Sequence, residues 1–489
     1  MKRKLLIIFP LFIFFAALSY FGIQFVLKTG IFKVPGELVF AEDFPESEKE
    51  YYINLFAETE LDYNLDLKIV NSLNRIEEEP NKNFLLDIVV PITDFYNPET
   101  VISSEEFEKL YNNSSTNVIS VLDLDNKSKL LALDNEENYF LETFSSGALF
   151  KYLEITSESE KPSEDIEKAK SVIAPTLKTF PEKSTTLSLV QTGVTALSRG
   201  MNAKLYQVGD ATYFSENIAP FLKSFDLAHT SNEASFTNLA TKSNICSDPA
   251  MIDVLTDSGI DIVELTGNHN QDCGITPAKE TIDLYQSLNI KTVGGGKNAT
   301  EAAIPLKITE KGNGITLLAY NQSTGGATYG ETPGANQYYE SDAEQNIKEA
   351  KNRGDIVIVD IQYYECNAYD SATENTTCDY ANSSAGDQIG LFRRLIDMGA
   401  DIVVGTSAHQ TQTYEQYGDG VIYYGLGNLF FDQIWWPGTT RSLALAHYFY
   451  NGKILQTRLR GTVYDSTMQT RLMNKEELAW FIERLNRAR

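Results

Sequence analysis

Residues 253–274 read DVLTDSGIDIVELTGNHNQDCG. Asp253 to Ser258 closes a helix, and Gly259 supplies the stop, since glycine enters the left-handed conformation that ends helices. Ile260 to Leu265 is a short apolar run of buried-strand type. It delivers Gly267, Asn268, His269 and Asn270 to its carboxyl end, the side on which open α/β sheets place ligands. Two amides flanking an imidazole on such a turn mark a candidate site, because scaffold-held loops are where binding groups concentrate.

Outward from this unit, strand and helix signals alternate. Strands are expected at 187–190, 291–293, 315–320, 355–360, 400–405 and 421–425. Helices are expected at 218–225, 276–288, 343–352 and 388–398, and an amphipathic helix closes the chain at 474–489. Such alternation predicts a parallel or mixed α/β sheet architecture.

Residues 31–180 differ. They are richer in acidic residues, contain no Cys or His, and mix strand signals (84–91, 118–122, 130–133) with a helix at 100–110. Ser103 is its expected N-cap, with Glu106 three residues on as in a capping box. This predicts a small α+β accessory domain, joined through the charged stretch 157–170. The expected domains are 1–30, 31–180, 185–470 and 471–489.

Net charge is −26, with 67 Asp and Glu against 41 Lys and Arg. A duplex nucleic-acid binder needs a basic footprint, so that class is excluded. The chain opens MKRK, then runs uncharged from residue 5 to residue 27. At 1.5 Å per residue this is roughly 34 Å of helix, enough to cross a bilayer. Cations ahead of it orient the N-terminus to the cytoplasm. The expectation is a single-pass anchor at the cell membrane, with everything after residue 30 extracytoplasmic. Four cysteines suit that address. Cys246 can pair with Cys273, and Cys366 with Cys378.

Polar groups collect after the strand signals. His229, Asn232 and Glu233 follow the 218–225 helix; Asn268 and His269 follow the opening strand. Gln362 and Glu365, Ser407 and His409, and Asn428 and Asp432 follow later strands. Imidazole, amide and carboxylate groups at one sheet edge are what metal-assisted hydrolysis requires, with a spare imidazole as acid or base.

The order SNE, ELTGNHNQDCG, GGGKNATEA, IQYYE, GADIVVGTSAHQTQTYE and YYGLGNLFFDQ resembles the CapA (poly-γ-glutamate capsule synthesis) family, from residue 187 to about residue 465. The resemblance implies a calcineurin-like metallophosphoesterase fold: a four-layer sandwich of two mixed sheets flanked by helices. It implies a role in capsule or surface-polymer synthesis or export, with the polymer or its precursor and membrane-embedded synthesis proteins as partners. Position by position, it assigns Glu233, Asn268, His409 and Glu365 to a single divalent metal ion, with His229 as a substitute ligand. It assigns His269, His409 and Arg199 to the reacting group. Three positions depart from the pattern: Val194 stands where a metal-binding Asp is expected, Gln362 where a His is, and Thr406 where a His is. These losses set a hydrolase reading against a non-catalytic polymer-binding or assembly module.

Overall fold

The computed structural model describes residues 37–59, 61, 64–72, 83–97, 101–133, 148–157, 162–322, 325–363, 387–435 and 437–487. The expected anchor at 1–30, Glu365 and the Cys366–Cys378 pair lie outside the described residues. No helix among the described residues is long and apolar enough to cross a membrane.

By its internal contacts the chain divides into two units, Met1–Val89 with Leu149–Phe180, and Val90–Ala148 with Pro181–Arg489. In the first, strand Leu65–Ser72 runs antiparallel to Leu149–Ser157, which pairs on its other side with residues 83–89. Leu65, Leu67, Leu153 and Ile155 alternate inward with no exposed surface, and helix Pro162–Ile173 adds Ala169 and Ile173 to the same cluster. That period-2 pattern is what one buried sheet face demands. Residues 90–148 gather with the later part of the chain. There helix Ser104–Asn112 begins as expected: the Ser103 hydroxyl accepts from the Glu106 amide at 3.2 Å.

The second unit is mixed α/β, with two large mixed sheets. We label its strands β1 (Leu187–Thr195), β2 (Leu227–Asn232), β3 (Ile262–Glu264), β4 (Lys291–Val293), β5 (Leu306–Glu310), β6 (Asn313–Asn321), β7 (Ile356–Gln362), β8 (Ile402–Thr406), β9 (Tyr414–Tyr417), β10 (Gly420–Tyr423), β11 (Asn428–Phe430), β12 (Arg441–Tyr450), β13 (Lys453–Val463) and β14 (Arg471–Leu472). The first sheet has the order β4-β3-β2-β1-β12-β13-β14, with β11 beside the end of β1. The second has the order β5-β6-β7-β8-β10-β9. Strands β1 to β4 are parallel to one another, as are β6, β7, β8 and β10.

The sheets face each other across one apolar cluster: Leu189, Leu227 and Ile262 from the first, Ile315, Ile358 and Ile402 from the second. Strand alternation sends the other face of the second sheet against helices α1 (Glu340–Asn352) and α2 (Gln388–Asp397), through Val357, Val359, Ile347, Phe392 and Leu395. The C-terminal helix α3 (Lys475–Arg487) inserts Phe481, Ile482 and Leu485 into the cluster between the sheets. The expected helix at 218–225 is shorter, Ala219–Leu222. Residues 227–232 continue as strand β2, which places His229 inside the sheet.

Candidate functional site

Climbing the strands two residues at a time, the space between the sheets changes character. The layer of Leu189, Leu227, Ile262 and Ile358 is apolar. Two residues on stand Gln191, His229, Glu264 and Asp360, none of them exposed. Two more on stand Ser231, Thr266 and Gln362, with Thr406 and Asn321 beside them, and the rim carries Glu233, Asn268 and His409.

The lower polar layer is a buried cluster that joins the two sheets. His229 Nε2 lies 3.1 Å from Asp360 Oδ2. Gln191 Nε2 donates to the other oxygen of Asp360. His447 on β12 meets Gln191 Oε1 at 3.3 Å and Thr457 Oγ1 at 2.8 Å. Burial, then the proximity of His229, pushes the His447 imidazole down to about 3, so it is neutral at ordinary pH. Glu264 closes β3 and accepts from the Thr266 amide. Burial, then the Asp360 charge, pushes its carboxyl up to about 7.

The sign of the Glu264 effect follows. The unfolded chain releases this proton near 4.5, whereas the folded chain holds it to about 7. The stabilisation is therefore complete below the unfolded value and lost as pH rises through the folded one. Glu264→Gln keeps the shape and cannot titrate. Between about pH 4.5 and about pH 8 the variant is expected to gain stability steadily on the wild type, read from urea midpoints of both at each pH. Equal pH slopes for the two proteins would refute it.

At the rim, the opening turn is built as its sequence suggests. Helix Ile252–Asp257 ends before Gly259, at φ +70°, and β3 follows. The Asn270 amide holds the turn by donating to the carbonyls of Leu265 and Gly267 at 2.7 and 2.9 Å. Gly267 has no side chain for a reason: a Cβ there would sit 2.7 Å from Glu233 Cγ. Glu233, 1% exposed, therefore packs directly against the Asn268 turn. Asn268 Oδ1 accepts from Gln362 Nε2 across the two sheets at 3.0 Å. His269 is apart from these, half-buried, with Nδ1 2.8 Å from Asp272. The Cys246–Cys273 disulfide fastens the end of the turn.

A second group forms around Phe431. The Arg199 guanidinium stands 4.6 Å over its ring, and the His409 ring lies 5.1 Å away. Asp432 holds Arg199 twice, through Nη2 at 2.5 Å and through the following Gly200 amide at 2.9 Å. His409 Nδ1 meets Asn428 Oδ1 at 2.8 Å. Arg199 and Ser407 both adopt positive φ, +50° and +74°, a strained conformation for side-chain-bearing residues. Ala234, next to Glu233, packs with Ala196 and Phe431, which joins the two groups.

Among the described residues, which leave out Glu365, the expected ligands do not gather as a divalent-ion site. His229 belongs to the lower layer and pairs with Asp360. The Asn268 oxygen already accepts a hydrogen bond, and Val194, 1% exposed, offers no donor. Glu233 is the one carboxylate of the expected set within the described residues. No three of His, Cys, Asp and Glu gather as a metal site among the described residues. Gln191, Glu264, Asp360 and His447 were absent from the sequence expectation. For Asp360 a signal was present, a lone charged residue in the otherwise apolar strand IVIVDIQ, and Glu264 likewise closes the mostly apolar run IDIVEL.

The model of the family described as Bacterial capsule synthesis protein PGA_cap matches residues 188–433. "Capsule biosynthesis protein CapA" of Bacillus anthracis is 24% identical over 254 residues, covering 49% of this chain and 59% of that protein. "PGA biosynthesis protein CapA" of Bacillus subtilis (strain 168) is 31% identical over 204 residues, covering 40% and 49%. The chain thus spans about half the length of the curated relatives it matches. Among solved structures, TT1561 of Thermus thermophilus aligns over 55% of this chain and all of its own, with 11% identity and a TM-score of 0.31. The matched family model covers half of the chain and takes in β1, the 267–270 turn and Asp432 alike, so the chain belongs to the bacterial capsule synthesis protein family and is CapA-like.

Proposed function

We propose that this chain is a membrane-anchored, extracytoplasmic protein of capsule or surface-polymer assembly or export, and that its rim binds the polymer or its precursor without cleaving it. The uncharged stretch after MKRK supports the anchor. Two mixed sheets sharing one core, with helices on an outer face, support a four-layer metallophosphoesterase-like sandwich. The observation that carries the binding reading is the contrast at the rim. The groups suited to gripping an anion, Arg199 on Phe431 with His409 beside it, are in place. The anionic metal ligand expected at position 194 is an apolar side chain. Membrane-embedded synthesis proteins are the expected partners.

The test is binding of full-length protein to poly-γ-glutamate, followed by light scattering or surface capture. Arg199→Ala is expected to weaken binding about tenfold or more, equal to about 1.4 kcal/mol or more, with Arg199→Lys intermediate. Binding should survive EDTA. Equal affinity in the wild type and in properly folded Arg199→Ala and His409→Ala variants would reject this site, and polymer shortening by the wild type would reject the non-cleaving reading.

A further inference from the structure

The Asn268–Gln362 contact joins the two sheets at the height where the family resemblance puts a metal ion. We infer that side-chain amides have replaced the metal there, so that Gln362 is a positioning residue and the rim is held by hydrogen bonds between neutral groups.

The chemistry at position 362 is inverted relative to the expected histidine. A neutral imidazole offers a lone pair to a cation. Gln362 presents an N–H donor instead, directed at Asn268 Oδ1, the oxygen that the metal would need. Gln362 is 1% exposed and Asn268 half-buried, so this bond is partly sheltered from water. Its neighbours repeat the pattern. Asn321 Nδ2 donates to the Thr266 carbonyl at 2.7 Å and to the Gly325 carbonyl at 3.0 Å. Thr266 Oγ1 faces Thr406 Oγ1, the third altered position, at 3.4 Å. The Asn321–Thr266 and Thr266–Thr406 links also run between the sheets, and none of these bonds carries a charge.

The space beside Asn268 is filled by backbone. Gly326, at φ +72°, lies so close that a Cβ would stand 2.8 Å from Asn268 Cα. A divalent ion placed here would face amides, hydroxyls and Val194, with Glu233 the one carboxylate of the expected ligand set among the described residues. Oxygen-ligand metal sites need several anionic or lone-pair donors around the ion. The inference rests on the same rim as the polymer-binding reading, but its readout is metal content and stability.

Full-length protein would be stripped with EDTA, equilibrated with Mn²⁺ or Zn²⁺, desalted and analysed for bound metal, with Tm measured in each state. The wild type is expected to hold under about 0.1 ion per chain and to keep its Tm within about 1 °C. Val194→Asp/Gln362→His, which restores two ligands, is expected to bind about one ion per chain with a metal-dependent rise in Tm. Gln362→Glu, a smaller change that serves should the double variant misfold, is expected to gain weaker metal-dependent stabilisation. Gln362→Ala should lower Tm equally with and without metal. About one ion per wild-type chain, removed by EDTA with a fall in Tm, would overturn the inference whether or not the polymer binds. A Gln362→Ala protein as stable as the wild type would overturn the positioning role. Failure to bind polymer leaves both results unchanged, so the two claims fail separately.

Discussion

Asp360→Ala is expected to destabilise the protein by about 3–5 kcal/mol, the usual loss when one partner of a buried pair is removed. Asp360 sits on β7 in the second sheet, with no exposed surface. Its Oδ1 accepts from Gln191 on β1, and its Oδ2 stands 3.1 Å from His229 Nε2 on β2. The substitution leaves a buried imidazole and amide without the carboxylate they face. Asp360→Asn fills the space and can still accept from Gln191, so its loss should be smaller. His229→Leu with Asp360→Leu removes the pair together, and apolar replacement of a buried pair is often close to neutral. Urea midpoints of the two single variants and the double give the coupling between the sites. Additive effects would show that the pair does not act as a unit.

This network also marks where the sequence stopped being legible. The β3 unit, the glycine stop at Gly259 and the turn at Gly267–Asn270 follow from local rules, and local rules predicted them. The N-cap at Ser103 did so for the same reason. His229 is different. Its four residues of separation from Glu233 read as a rim ligand when the 218–225 helix is taken at full length. The helix stops at Leu222, and β2 then carries His229 into the interior, two layers below Glu233. Nothing in the local pattern sets that depth, because it depends on the register between strands that are distant in sequence. Gln362 shows the same limit. Its presence registers as a lost ligand, but its role as a donor to Asn268 requires knowing that β7 and the β3 turn face each other. Family resemblance supplied the location of the rim and marked Val194, Gln362 and Thr406 as departures, but motif positions say where a side chain stands and not what it bonds.

Removing the Cys246–Cys273 disulfide, by Cys246→Ser/Cys273→Ser, is expected to lower stability by about 3–4 kcal/mol while leaving the rim's ligand affinity within about threefold. The first half follows from the chain segment it closes. The two cysteines are 27 positions apart, and a cross-link of that span restricts the unfolded chain by that order of free energy. The second half follows from what else holds the turn. Asn270 donates to Leu265 and Gly267, and its own carbonyl accepts from Ser235 Oγ at 2.7 Å. The other side of the bridge is fixed as well: buried Asn202, three residues past Arg199, donates to the carbonyls of Cys246 and Thr241 at 2.8 and 2.9 Å. These bonds persist in the folded state without the sulfur link, so the geometry of Asn268 and Arg199 should survive its loss. Denaturation midpoints with and without reductant measure the first effect, and polymer titration of the double variant at a temperature where it is folded measures the second. A large affinity loss in the folded variant would mean that the bridge positions the site, and an unchanged midpoint would mean that the hydrogen bonds already restrain the same loop in the unfolded chain.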